Sequence, residues 1–109
     1  MTVAHMVGEA FRLPPNLTVR AINSIQQDML KFIAKKSAMT LQLEGDCQVD
    51  ISFIQLVEAA RIYAGSAGKP IALAEPASGS LLETLERAGF LEGMNAEDAK
   101  FWLHERVIQ

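Results

Sequence analysis

The residues of this sequence that could do chemistry are few and scattered. The segment at residues 65–70 contains a Gly-x-x-Gly-Lys pattern, which suggests a phosphate-binding loop. Such a loop needs a longer spacing between its glycines, a Ser or Thr after the lysine, and a strand before it with a helix after it. Here Pro70 follows Lys69, and the predicted order is helix, loop, strand. The pattern therefore indicates the end of a helix and the beginning of a strand.

Nucleophile and metal-ligand patterns are equally weak. Ser80 is not part of a Gly-x-Ser-x-Gly turn, and its spacing from Glu83 is that of a helix cap. His5 and His104 lie near opposite ends of the chain, and Cys47 is the only cysteine, so neither a metal site nor a disulfide is predicted. We expect a protein that is not an enzyme and that needs no cofactor or metal.

Composition limits the class of protein further. The chain has 109 residues, half of them hydrophobic, which predicts one globular domain over residues 1–109. The net charge of -3 argues against nucleic-acid binding, and the basic cluster of Lys31, Lys35 and Lys36 is typical of a helix C-terminus. The chain shows neither a signal-peptide pattern nor a membrane-spanning apolar run. We therefore expect a cytoplasmic protein without direct membrane insertion.

Strand and helix patterns alternate along the chain. Strands are predicted within residues 7–14, 38–43 and 69–76, helices over 19–35, 51–64, 81–88 and 96–107, and a short edge strand at 89–93. Suitable N-caps precede the four helices: Thr18, Asp50, Ser80 and Asn95. This alternation predicts an α/β fold with a mixed, mostly parallel sheet joined by right-handed crossovers. Because the large aliphatic residues of the strands share one face, the helices are expected mainly on that face.

The helix predicted over residues 51–64 carries too many apolar residues for one face. With about 100° between successive residues, six residues form an arc that faces the core: Phe53, Leu56, Val57, Ala60, Tyr63 and Ala64. The opposite side then holds Gln55, Glu58 and Arg61 together with Ile51, Ile54 and Ile62. Exposed isoleucines edged by charged residues indicate a surface for a partner protein. Two alternatives stay open: other parts of the chain cover the isoleucines, or a homodimer does.

Several segments resemble the STAS domain family, whose best-known members are bacterial anti-sigma-factor antagonists. In that family a strand ends at an Asp-Ser-(Ser/Thr)-Gly-Leu turn that begins the second helix. A short strand and a helix ending in Gly-hydrophobic follow. Val49-Asp50, the helix FIQLVEAARIYA, the strand PIALAEP and the helix LLETLERAGF correspond to this plan. The resemblance covers residues 9 to 105.

The resemblance implies a STAS-like fold and a binding function. STAS proteins bind partners through the turn before the second helix and the exposed face of that helix, which here correspond to Asp50, Ile51, Ser52, Ile54, Gln55, Glu58 and Ile62. We therefore expect an interaction module for an anti-sigma-factor kinase or for a histidine-kinase or chemotaxis complex. One alternative is a subunit that binds the ATPase of a lipid or solvent-tolerance ABC transporter. A less favoured one is a small-ligand or anion-binding protein that uses Ser52 or residues 78–80.

The phosphorylation switch of the family is altered in this sequence. Ile51 occupies the position that many members phosphorylate, and Phe53 replaces the glycine of the turn. Ser52 is the remaining phosphorylation candidate. A phosphate there would add negative charge at a helix N-terminus and would disrupt an apolar interface. The resemblance therefore implies either docking without the usual switch or a switch at Ser52.

Overall fold

A computed structural model describes residues 9–105 of the chain. In this part of the chain the strands are β1 (Glu9–Arg12), β2 (Asn16–Leu17), β3 (Met39–Gln42), β4 (Gln48–Val49) and β5 (Ile71–Leu73). The helices are α1 (Val19–Lys35), α2 (Ile51–Ser66), α3 (Gly79–Arg87) and α4 (Ala96–Leu103). The predicted α/β class is confirmed.

The three longer strands form a parallel sheet in the order β1-β3-β5. The chain passes from β1 through α1 to β3 and from β3 through α2 to β5, so both crossovers step in the same direction. Crossovers of this type are right-handed, and two successive ones place both helices on one face of the sheet. On that face the ring of Phe11 packs edge-on against Phe32 of α1, with centroids 5.2 Å apart.

One hydrophobic core fills the space between the sheet and the helices. Met39, Leu41 and Leu73 supply it from the sheet, and Ile25, Met29 and Ile33 supply it from α1. The i, i+4 spacing of the α1 residues places them on one face of that helix. Thr40, on the other face of β3, is also fully buried. The prediction of a strand covered on one side only is therefore wrong at Thr40, although Gln42 is exposed.

Three details of the predicted elements are wrong. Residues 89–93 form turns rather than an edge strand. The helix predicted to run to Val107 ends at Leu103, because His104 takes the left-handed conformation with a φ of 56°. The cap of α3 is Ser78 rather than Ser80. The Asn95 cap is confirmed, since its side chain accepts a hydrogen bond from the Asp98 N–H.

Candidate docking surface

The beginning of α2 is fixed by a carboxylate that caps two helices. Asp50 Oδ1 accepts a hydrogen bond from the Ser52 N–H at 3.0 Å, and Asp50 Oδ2 accepts one from the Val19 N–H at 3.0 Å. Val19 is the first residue of α1, so this carboxylate serves the N-termini of both helices. Thr18 occupies the N-cap position of α1 as predicted, but its hydroxyl donates to Asn16 Oδ1 and does not cap the helix.

The residue before Asp50 joins this N-terminal region to α3. The Val49 N–H donates to Ser80 Oγ at 3.1 Å, and Thr84 Oγ1 donates to the Val49 carbonyl at 3.2 Å. Ser80, predicted as a helix cap, therefore holds β4 against α3. The pairing of β2 with β4 adds a backbone link between the segments that precede α1 and α2. The first turn of α2 is thus held from α1 on one side and from α3 on the other.

The electrostatics of the Asp50 carboxylate follow from these bonds. Burial raises the pKa of Asp50, but hydrogen bonds from the Ser52 hydroxyl and from backbone N–H groups stabilise the ionised form. The net effect is a pKa below the usual value for aspartate. Ser52, the phosphorylation candidate, is half-buried, and its hydroxyl donates to Asp50 Oδ1.

Ile54 does not belong to the exposed face of α2. Its exposed fraction is 0%, which contradicts the prediction that it stands in solvent as a binding residue. The buried arc of α2 is wider than the sequence suggested, because α2 contacts α1 on one side and α3 on the other. On the helix, Ile54 lies about 60° from the buried Val57, so the wider arc includes it. Its side chain is part of the hydrophobic core.

Glu58 also makes contacts inside the protein. Glu58 Oε2 accepts a hydrogen bond from Trp102 Nε1 at 3.0 Å and forms an ion pair with Arg61 at 3.0 Å. Arg61 in turn pairs with Asp98 of α4 at 3.1 Å and stacks over the ring of Phe101, 4.3 Å from its centroid. These contacts join α2 to α4. Glu58 therefore has a structural role between α2 and α4, and its role in partner binding stays a prediction.

Three residues of the predicted site, Ile51, Gln55 and Ile62, lie with Ala59 and Ser66 on a continuous exposed strip, which we call the α2 stripe. Ile51 exposes 41% of its surface and Ile62 exposes 75%, so the exposure predicted for these two isoleucines is confirmed. None of the five carries a charge, because the charged residues of α2, Glu58 and Arg61, both point toward α4.

A shallow apolar groove lies beside the α2 stripe, between α1 and α2. Its volume is about 160 Å³, and Met29, Leu30, Leu56, Ala60 and Tyr63 line it. Tyr63 was predicted in the core, yet 55% of its surface is exposed, because it faces the groove and not the sheet. In residues 9–105 every exposed large hydrophobic residue lies on α1 or α2: Val19, Leu30, Ile51, Ile62 and Tyr63.

Sequence reasoning missed the α1 part of this surface. Val19 and Leu30 lie about 80° and 100° from Met29 on the helix, outside the arc that α1 buries. Periodicity alone did not reveal that this side adjoins α2. The sequence signal that could have revealed this surface is the absence of charged residues on the side of α1 that carries Val19 and Leu30. The charged residues of the helix all lie on its other sides: Arg20, Asp28, Lys31 and Lys35.

A second, more polar cavity of about 110 Å³ lies at the carboxyl ends of β3 and β5, where Cys47, Glu44 and Glu75 line it. Burial raises the pKa of the Cys47 thiol, and the nearby Asp46 and Glu44 carboxylates raise it further. A thiol with a raised pKa is a poor nucleophile. In the described part of the chain no three His, Cys, Asp or Glu side chains are grouped to hold a metal ion.

Because the comparisons with known proteins found no match, the α2 stripe and the groove are the main guide to function. No protein family matches the chain, and neither a curated protein nor a solved structure matches it. Within residues 9–105, no helix combines the length and the apolar character needed to cross a membrane.

Proposed function

We propose that this protein is a non-enzymatic interaction module that binds a signalling protein through the α2 stripe. One observation carries the proposal: the exposed large hydrophobic residues of the described chain are confined to α1 and α2, and the α2 stripe bears no charge. Interface centres are depleted in charged residues, and an exposed apolar patch edged by polar groups is typical of a partner site.

The contacts around Asp50 suit this function. Because Asp50, Val49 and the α3 side chains hold the first turn of α2, Ile51 is presented at a fixed position. A surface that is already ordered loses little conformational entropy when a partner binds. Asp50 then contributes by holding the helix and not by contacting the partner, while Ile51, Gln55 and Ile62 supply the contact area.

The class of partner comes from the resemblance to STAS proteins. On that basis the partner is a cytoplasmic anti-sigma-factor kinase or a histidine-kinase signalling protein, as in chemotaxis complexes. The residue types of the α2 stripe fit a partner with an uncharged apolar patch, because a charged group facing the stripe would lose water without gaining an ionic contact.

Binding of this partner does not require phosphorylation. Ile51 cannot be phosphorylated, and the Ser52 hydroxyl is engaged with Asp50. A phosphate on Ser52 would place about two negative charges beside that carboxylate and would remove its hydrogen-bond donor. Modification of Ser52 would therefore loosen the start of α2 and weaken partner binding.

Affinity capture from the native cytoplasm tests the proposal. Wild-type chain is compared with Ile62→Asp, which places a charge in the α2 stripe, and with Gln42→Asp, which adds the same charge at an exposed position of the sheet. We expect a signalling kinase to be retained by the wild type and by Gln42→Asp, with or without phosphatase treatment, but not by Ile62→Asp. Equal capture by all three variants would refute the docking surface, and capture of a transporter ATPase instead would refute the partner class.

A further inference from the structure

Charge is distributed unequally over three neighbouring helices. α1 carries Arg20, Lys31 and Lys35 against a single acidic residue, Asp28, so its net charge is +2. α2 carries Glu58 and Arg61 and is neutral. α3 carries Glu83, Glu86 and Arg87, so its net charge is -1. Because α2 contacts both α1 and α3, the uncharged α2 stripe runs between a basic helix and an acidic one.

The flanking charges point outward from the protein. On α1, Arg20 and Lys31 lie about 180° and 200° from the buried Met29. On α3, Glu83 and Glu86 lie about 200° and 140° from the buried Leu81 and Arg87 lies about 240° from it, so two acidic residues and one basic residue share the outward face. All five side chains are exposed, and no ion pair is formed by any of them within residues 9–105. They are therefore available to a molecule that lies on the α2 stripe.

We propose that a second copy of this chain packs on the α2 stripe, about a two-fold axis that runs parallel to α2. The inference rests on the proposed function only in that both use the same surface. A rotation about this axis places the two α2 helices against each other and places α1 of each copy opposite α3 of its partner. The basic helix of one copy then faces the acidic helix of the other, twice in each dimer.

The charges also select this arrangement over the other face-to-face one. A two-fold axis perpendicular to α2 would place α1 on the α1 of the partner and α3 on its α3. The basic residues of the two α1 helices would then face each other, and so would the acidic residues of the two α3 helices. Like charges brought together in this way destabilise an interface. A partner of different sequence can bind without opposite charges on α1 and α3, whereas a two-fold dimer needs a surface that is complementary to itself.

The spacing of the α2 stripe suits contact between two helices. Ile51, Gln55, Ala59, Ile62 and Ser66 follow one another at intervals of four, four, three and four residues, a pattern that keeps a seam on one side of a helix. Ala59, at the middle of the stripe, allows the two helices to approach closely. The side chains of Ile51 and Ile62 supply apolar contact on either side of it.

The size of the surface indicates a weak dimer. A 16-residue helix is about 24 Å long, and three helices with axes about 9 Å apart present on the order of 600 Å². A stable interface uses about 800 Å² on each partner. The dimer therefore exchanges with the monomer, and a signalling partner that binds the α2 stripe competes with the second copy.

Sedimentation equilibrium of the purified 109-residue chain tests the inference, over protein concentrations from about 10 μM to about 1 mM. We expect the average mass of the wild type to rise from that of one chain toward that of two. Ile62→Asp should stay monomeric, while Gln42→Asp should behave as the wild type. Circular dichroism checks that each variant is folded.

Charge reversal tests the orientation of the axis. A variant with Arg20→Glu and Lys31→Glu should self-associate about tenfold more weakly, and so should a variant with Glu83→Lys and Glu86→Lys. An equimolar mixture of the two variants should dimerise at least as well as the wild type, because each reversed helix then meets an opposite charge. Self-association of each variant alone that is as strong as that of the wild type would overturn the parallel axis, because a perpendicular axis pairs like charges in the wild type and in both variants. A mixture that associates no better than its components would overturn the charge contact between the two copies.

The remaining outcomes separate this inference from the proposed function. A wild-type chain that is monomeric at every concentration overturns the dimer, and so does an Ile62→Asp variant that dimerises like the wild type. Capture of a signalling kinase by a chain that is monomeric throughout would leave the proposed function intact. A dimer that meets all the expectations, together with capture that is insensitive to Ile62→Asp, would leave the dimer intact and refute the proposed function.

Discussion

Asp50 is the residue on which the ends of two helices depend. Replacing it by Ala removes the acceptor for the Val19 and Ser52 N–H groups, so we expect a loss of about 2 kcal/mol in the free energy of unfolding. Asp46→Ala, at an exposed turn position, is the matched control and should change it by less than about 0.5 kcal/mol. Urea denaturation measures both. Equal stability of Asp50→Ala and wild type would contradict the double cap.

The lowered pKa of Asp50 predicts a pH dependence of stability. A carboxyl group with a lowered pKa in the folded state stabilises the fold above its unfolded pKa, and this contribution is lost as the pH falls through the folded pKa. The free-energy difference between wild type and Asp50→Asn should therefore be largest at neutral pH and should shrink below about pH 4. Urea titrations at a series of pH values measure it. A difference that grows on acidification would show the opposite pKa shift.

Two isoleucines of α2 provide a direct test of the buried and exposed faces. Ile54 is fully buried, whereas Ile62 exposes most of its surface. We expect Ile54→Ala to lower the free energy of unfolding by about 3 kcal/mol, because a cavity forms in the core. Ile62→Ala should lower it by less than about 0.5 kcal/mol. Urea denaturation of dilute protein makes the comparison, and similar losses for the two variants would contradict the assignment of faces.

At the scale of elements, the contact between α2 and α4 depends on Glu58. Removing its carboxylate by Glu58→Ala leaves the indole N–H of the fully buried Trp102 without its acceptor. We expect a loss of about 2 kcal/mol in the free energy of unfolding, and Glu58→Gln, which keeps an acceptor, should lose less. Gln55→Ala, on the exposed face of the same helix, is the control. Thermal melting followed by circular dichroism measures all three.

The elements themselves were largely predictable from the sequence. α1 has the predicted bounds of Val19 to Lys35, because its apolar residues recur at one clear helical spacing. The strands at Met39–Gln42 and Ile71–Leu73 lie within the predicted segments. Residues 89–93 were misread because a short apolar run between glycines is compatible with either a turn or an edge strand.

The candidate site was predictable only in part. A helical wheel fixes the angle between Ile54 and Ile62, but the width of the buried arc depends on how many elements surround the helix, and those contacts are distant in sequence. The partners of Glu58 and Ser80 are equally distant: Trp102 and Val49. Local patterns identified the N-cap positions of α1 and α2, yet the carboxylate that accepts from the Val19 N–H belongs to Asp50, 31 positions later.

For the whole molecule, self-association through the α2 stripe predicts a melting temperature that depends on concentration. Because a dimer that forms only from folded chains stabilises the folded state by mass action, the melting temperature of the wild type should rise as the protein concentration is raised. Ile62→Asp should melt at one temperature at all concentrations. Differential scanning calorimetry over about a hundredfold range of concentration measures this. A wild-type melting temperature that stays constant would speak against the dimer.

The double cap at Asp50 also bears on the order in which the protein is made. During synthesis α1 leaves the ribosome before Asp50 does, and its first turn then lacks the carboxylate that accepts from Val19. The α1 segment of the nascent chain therefore gains its full N-terminal stabilisation only when Asp50 has emerged and the segment that begins α2 has reached it. The N-terminal cap of α1 is thus completed by a side chain that is made after the whole of α1.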